Sequence, residues 1–186
     1  MRSFKIAVIA DSHIPDRVAD LPQKFLHDLR SERVDLILHA GDICLQRVLD
    51  VLGSIAPVKA VRGNRDLLLV RSAPRIHNFE VFGVRFALMH GHINFLVYWL
   101  DKFIHILKGY DRIRYTDRLP KAFPGADVYI YGHTHHAENF YQNGALFFNP
   151  GSITHGDVQA QNRSWGIIEV SEDKQILARI IDYFET

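Results

Sequence analysis

The chain has 186 residues, 47% hydrophobic and 23% charged, the profile of a soluble globular protein with enough length for one well-cored domain. Its 22 basic and 21 acidic residues leave a formal net charge of +1, so no global field draws it to nucleic acid or to an acidic membrane surface. The single cysteine, Cys44, excludes an intramolecular disulfide and fits a reducing, cytoplasmic setting.

Residues 4–10 are a short apolar run interrupted by Lys5 and ended by Asp11, which reads as a buried strand and not as a signal peptide. Residues 22–30 have helical periodicity, with Leu21, Phe25, Leu26 and Leu29 on one face. Residues 34–39 form a second buried strand. Residues 45–55 form a second amphipathic helix, with Val48, Leu49, Val51 and Leu52 inward and Gly53 near its end. Residues 58–61 are a third strand. This alternation predicts a parallel sheet with right-handed crossovers. Strands 76–82 and 84–89 flank a tight turn at Gly83. Residues 95–107 are apolar nearly all round a helix, yet they contain Asp101 and Lys102 and fall short of the roughly 20 residues of a membrane span, so no transmembrane segment is predicted. A basic run with Arg112, Arg114 and Arg118 follows. Residues 94–121 are therefore expected to be a helical, basic insertion in one domain spanning 1–186. The helix has two readings: a core or homodimer interface, or a cap or lipid-touching surface. Further strands are predicted at 127–131, 145–148, 165–170 and 176–181, with turns at Asn143-Gly144 and Glu172-Asp173.

The chemistry-bearing residues recur just past strand ends. Asp11 follows the first strand, Asp42 the second, Asn64 the third, His90 the fifth and His133 the sixth. In open α/β sheets, ligands gather at the carboxyl ends of strands. The motifs are Asp11-Ser-His13, Gly41-Asp42, Gly63-Asn64, His90-Gly-His92 and Gly132-His133-Thr-His135. Asp11 and His13 are two apart, so in extended backbone they point to one side, and His133 and His135 repeat that spacing. The adjoining glycines permit sharp turns or close approach to an ion. Carboxylate, imidazole and amide donors suit Mn, Fe, Zn, Co or Ni better than Ca. Together they add up to two metal sites sharing one carboxylate, an arrangement that clamps both oxygens of a phosphoryl displacement. Two divalent ions bring about +4 and two aspartates return about −2, leaving roughly +2 to attract phosphate and to acidify a bridging water. The hydroxide so formed is the expected nucleophile.

Asp-x-His, Gly-Asp, Gly-Asn-x-Asp, the His90 motif, Gly-His-x-His and Asn149-Pro150-Gly151-Ser152 occur in the order found in the calcineurin-like metallophosphoesterases. The chain resembles that family over nearly its whole length, most closely the small YfcE-like phosphodiesterase branch. Each motif is weak alone and specific in combination. The resemblance implies an α/β fold, a four-layer αββα sandwich of two mixed sheets flanked by helices. It implies a first metal site from Asp11, His13, Asp42 and His135. It implies a second from Asp42, Asn64, His90 and His133, with Asp42 bridging. The cofactor would be two divalent ions, Mn²⁺ foremost, with Ni²⁺, Fe²⁺, Zn²⁺ and Mg²⁺ as alternatives. The substrate would be a small-molecule or nucleotide phosphodiester, without a stable nucleic-acid complex.

One position departs from the pattern. The wider family has Gly-Asn-His-Asp or Gly-Asn-His-Glu, whose histidine assists the leaving group, whereas this chain has Arg65. Arginine does not donate a proton near neutral pH, but it offers a fixed fork to a phosphate oxygen. Arg65 is expected to bind the phosphoryl group, and turnover to favour good leaving groups such as aryl or cyclic diesters. Asn64 and His92 are also expected near the substrate, His92 either touching phosphate or orienting His90. Asp66 stands open between orienting a ligand and lining a loop. His39 is expected to be structural, Cys44 a small buried residue, and 149–152 a turn supporting the histidine loops. Two rival functions remain: a non-catalytic scaffold similar to the retromer subunit with this fold, and a pyrophosphatase acting on a lipid-linked or dinucleotide substrate.

Overall fold

In the computed structural model, which describes residues 2–66, 73–91, 109, 111–154 and 163–183, the first apolar run becomes β1 (Ser3–Ile9). Helix α1 (Gln23–Glu32) follows, burying Phe25, Leu26 and Leu29, the face that the periodicity marks, and ending at Arg33 in the left-handed region. Then come β2 (Leu36–His39), α2 (Gln46–Gly53) and β3 (Val58–Ala60). Both junctions are parallel, β1 pairing β2 and β2 pairing β3, as expected of strand–helix–strand units. Late in the chain β9 (Arg163–Ser171) returns antiparallel to β1, and β10 (Ile176–Tyr183) pairs antiparallel to β9, completing a mixed sheet of order β10-β9-β1-β2-β3.

The second sheet starts with a hairpin, β4 (Ile76–Val81) and β5 (Val84–Met89). Its two turn residues, Phe82 and Gly83, both have positive φ (49° and 77°), the twist that two-residue hairpins require. The sheet continues with β6 (Val128–Ile130), β7 (Ala137–Gln142) and β8 (Ala145–Pro150), in the order β4-β5-β6-β8-β7. Strand β7 was not among the sequence expectations. It is an edge strand whose alternate residues are exposed, so it shows no apolar run. It pairs with β8 across Asn143-Gly144, where both φ values are positive.

Three apolar clusters fix the layers. Phe25, Leu29, Val48 and Leu52 of the two long helices pack on Ala7, Ile9, Ile37, Trp165 and Ile167. The opposite face of that sheet (Ile6, Val8, Leu36, Leu38, Ile168) meets Val84, Phe86, Val128, Ile130 and Phe148 of the second sheet. The outer face of the second sheet (Ala87, Tyr129, Phe147) is covered by Leu119. Leu119 belongs to α4 (Arg118–Ala122), which follows the short α3 (Ile113–Thr116). The result is a four-layer αββα sandwich. The predicted helix 95–107, with His105, lies outside the described residues. Within the described part of the basic run, the Arg112 guanidinium sits 4.3 Å from the Phe140 ring centroid. No helix among the described residues is long and apolar enough to cross a membrane. A cavity of about 520 Å³ lies between α3–α4 and the second sheet, and none of its lining residues is a predicted ligand.

Candidate metal centre

The loops after β1, β2, β3, β5 and β6 converge, each carrying one or two of the predicted ligands. Asp11, His13, Asp42 and His90 are almost wholly buried. Such burial is costly for carboxylates unless cations or donors surround them. The convergence does not come from extended backbone, as the two-residue spacing suggested. Asp11, His13, Asp42, His133 and His135 all have φ between 46° and 73°, in the left-handed region. That conformation is strained for residues other than glycine and persists where surrounding structure enforces it.

The enforcement is visible in hydrogen bonds. Asp11 N–H donates to Gly41 O at 3.0 Å, and His13 N–H to Asp42 O at 3.0 Å. Ser152 Oγ–H donates to Asp11 O at 2.8 Å and Thr154 Oγ1–H to Ser12 O at 2.9 Å. Buried Asn149 donates from Nδ2 to Gly132 O (3.2 Å) and Thr134 Oγ1 (2.9 Å), and its Oδ1 accepts Gly151 N–H (3.0 Å). The 149–152 segment therefore supports the histidine loop, although Asn149 and Pro150 belong to the end of β8. Asp66 settles as an orienting residue: Oδ1 accepts Ile43 N–H (2.9 Å) and Cys44 N–H (2.7 Å), and Oδ2 accepts Gly63 N–H (2.8 Å). It ties the Asp42 loop to the Asn64 loop. Gly63 has no alternative, because a Cβ there would collide with Asp42 Oδ1 and N.

The donor atoms fall into two groups. In the first, His13 Nε2 lies 3.1 Å from His135 Nε2, 3.7 Å from Asp11 Oδ1 and 3.8 Å from Asp42 Oδ2; His135 Nε2 lies 3.5 Å from Asp11 Oδ1. In the second, Asn64 Oδ1 is 3.1 Å from His90 Nε2 and 2.9 Å from His133 Nδ1, which are 3.3 Å apart, and His90 Nε2 is 3.4 Å from Asp42 Oδ1. Ligands about 2.0–2.2 Å from a shared ion stand about 3.0–3.5 Å apart. The separations in the two groups run from 2.9 to 3.8 Å, within a few tenths of an ångström of that spacing, and buried Asp11 Oδ1 has no hydrogen-bond partner. The residues fit divalent metal. His90 Nδ1–H donates to Ala40 O at 2.7 Å, so Nε2 is the nitrogen that faces the centre, where a bound cation would take the place of its proton.

Charges are consistent with this. Burial works against the Asp42 carboxylate, but His90, the Arg65 amide and His13 outweigh it and hold its pKa below the usual range. Burial likewise opposes the His90 imidazolium, and Asp42 and Asp11 override it, pushing it up to about 9. His39 takes the structural role expected of it. Burial drops its imidazole to about 4; Nδ1 accepts Gly41 N–H at 3.3 Å and Nε2 faces Ser12 Oγ at 3.0 Å. Burial, with Asp66 and Asp16, pushes the Cys44 thiol up to about 12, so it stays protonated at neutral pH and is a poor ligand. Arg65 is partly exposed; its N–H donates to Asp42 Oδ1 at 2.8 Å and its guanidinium pairs with Asp16 at 2.9 Å. Asp16 gave no signal in the sequence, since it belongs to no motif. His92 and His155 lie outside the described residues.

Residues 4–173 match the model of the calcineurin-like phosphoesterase superfamily domain. A probable metallophosphoesterase of Methanothermobacter thermautotrophicus is 35% identical over 149 residues, 80% of this chain and 77% of that protein. Another, from Methanocaldococcus jannaschii, is 34% identical over 149 residues, 80% of this chain and 68% of that one. Among solved structures, wild-type Vps29 of Entamoeba histolytica complexed with Zn²⁺ is similar with a TM-score of 0.72 and 25% identity, covering 96% of this chain and 99% of that one. The chain therefore belongs to the calcineurin-like phosphoesterase superfamily, a metal-binding family of the αββα fold.

Proposed function

We propose that the protein hydrolyses phosphodiester bonds at a dinuclear centre. Asp11, His13, Asp42 and His135 would hold one ion, and Asp42, Asn64, His90 and His133 the other. The observation that carries this reading is the placing of Asp42, whose Oδ2 faces the first donor group and whose Oδ1 faces the second. The superfamily match supports phosphoester chemistry, and the Zn²⁺ in the Vps29 relative supports divalent metal here. Mn²⁺ is our first choice, with Ni²⁺, Fe²⁺, Zn²⁺ and Mg²⁺ as alternatives. When bound, such ions polarise phosphoryl oxygens and bring the pKa of a coordinated water near 7. The chain's own residues set the geometry: Ala40 O fixes the His90 tautomer, Asp66 holds two ligand loops together, and Ser152 and Thr154 pin the backbone at Asp11 and Ser12. Arg65, at the rim, supplies a fork for a non-bridging phosphate oxygen and no proton. Leaving-group protonation is then weak, which favours aryl or cyclic diesters. The small net charge favours a small-molecule or nucleotide diester over long nucleic acid. The single cysteine suits a reducing, cytoplasmic setting.

The test is hydrolysis of bis-p-nitrophenyl phosphate by chelator-stripped protein, before and after adding Mn²⁺, Ni²⁺, Zn²⁺ or Mg²⁺. Metal should restore turnover in the natural chain and leave Asp42→Ala at background. A folded protein silent with every metal would move the reading to a metal-binding scaffold.

A further inference from the structure

Arg65 is held at the rim of the donor cluster by its backbone, since its N–H donates to Asp42 Oδ1. Its side chain reaches the loop after β1, where Nη1 meets Asp16 Oδ2 at 2.9 Å. The pair joins the loop after β1 to the loop after β3. Both side chains are partly exposed, 43% and 44%. The Asp16 carboxylate is also close to the cluster itself: its oxygen, a His13 ring nitrogen and Cys44 Sγ all lie within 4.8 Å of one another. Asp16 thus places a negative charge at the edge of a site meant to receive an anion. An exposed ion pair is worth little and opens readily. A phosphate presents the guanidinium fork with two oxygens, where Asp16 engages Nη1 through one.

We propose that Asp16 is a specificity-determining residue: it occupies Arg65 in the free protein and, once a phosphoryl group takes the guanidinium, its carboxylate selects singly charged phosphodiesters over doubly charged phosphomonoesters. This rests on the phosphoesterase reading above. A diester carries one negative charge, whereas a monoester at pH 7 carries about −1.5 to −2. The nearly extra unit of charge meets the field of Asp16. Across about 6–8 Å and an effective dielectric between protein surface and water, one unit charge changes binding by roughly two- to ten-fold.

The experiment compares the natural chain with Asp16→Asn, Arg65→Ala and the double variant, all full-length and Mn²⁺-loaded. Two readouts are taken: kcat and KM on p-nitrophenyl phosphate and bis-p-nitrophenyl phosphate, and calorimetric affinity for inorganic phosphate at pH 8. Asp16→Asn should raise kcat/KM for the monoester relative to the diester by about three- to ten-fold, mainly through KM. It should tighten inorganic phosphate by a similar factor, and 0.5 M salt should shrink both effects. Arg65→Ala should weaken both substrates and phosphate. An unchanged ratio and unchanged phosphate affinity in Asp16→Asn would make the pair a surface ion pair and nothing more. Equal weakening of both substrates in Asp16→Asn, as in Arg65→Ala, would mean that Asp16 presents Arg65 to substrate, which also overturns the proposal. If the natural chain shows no turnover with any metal, the phosphoesterase reading fails, and the phosphate titration still decides what Asp16 does.

Discussion

At the scale of single residues, His39 makes a prediction that does not depend on metal. It is fully buried, and its Nδ1 accepts Gly41 N–H, so the proton sits on Nε2 facing Ser12. Its folded pKa, about 4, lies below the unfolded 6.5. The folded state therefore binds fewer protons. The stability His39 contributes is complete above pH 6.5 and is lost as pH falls toward 4, by about 3 kcal/mol. His13, also lowered by burial, adds to that window. Asp11 and Asp42, held low, lose their contributions only below the ordinary carboxylate range. His90, raised to about 9, loses its own as pH rises from 6.5. Urea unfolding of chelator-treated protein between pH 7 and 4.5 should show the fall, and His39→Gln should remove much of it. Equal slopes for the two proteins would contradict the assignment.

At the scale of elements, the loop anchors matter more than the strands. Asp66→Ala strips the acceptor from three buried N–H groups, on Ile43, Cys44 and Gly63. At about 1–3 kcal/mol for each unsatisfied donor, the variant should lose 3 kcal/mol or more. Because the same bonds align Asp42 with Asn64, Mn²⁺ affinity should fall about 10- to 100-fold. Thermal melting and a metal titration measure the two effects, and wild-type values in both would remove Asp66 from the framework. Asp66 also shows where sequence reading stops. Its place after Gly63-Asn64 was legible, but two of its three partners lie on a loop some twenty residues away. Buried strands and the helix faces were legible because burial repeats with a fixed period. Edge strand β7 was not, since half its side chains are exposed and its polar residues break any apolar run. The candidate ligands were legible through their order. Their left-handed backbone was not, because Asp11, His13, Asp42, His133 and His135 adopt positive φ under constraint from neighbours, without glycine to signal it. The Asp16–Arg65 pair joins residues 49 apart and leaves no local pattern at all.

At the scale of the whole molecule, the candidate metal centre forms where two sheets meet. Asp11, Asp42 and Asn64 follow strands of one sheet, and His90, His133 and His135 follow strands of the other. Whatever sets the separation of the sheets also sets the distance between the two halves of each donor group. Gly166 on β9 is one such determinant. A Cβ there would collide with Cζ and Cε1 of the fully buried Phe148 on β8 and come within 3.2 Å of Arg179 O. Phe148 lies in the core between the sheets and cannot swing into solvent. Gly166→Ala should therefore cost about 1–3 kcal/mol by overpacking. It should also weaken Mn²⁺ binding, although Gly166 touches no ligand, because the strain is relieved by parting the sheets. Shortening the obstructing ring tests the cause. The double variant Gly166→Ala, Phe148→Leu should recover part of both losses, giving a favourable interaction energy in the double-mutant cycle. If metal affinity stays at the natural value while the melting temperature drops, the two halves of the centre are positioned by their loops alone, and sheet separation has no part in holding them together.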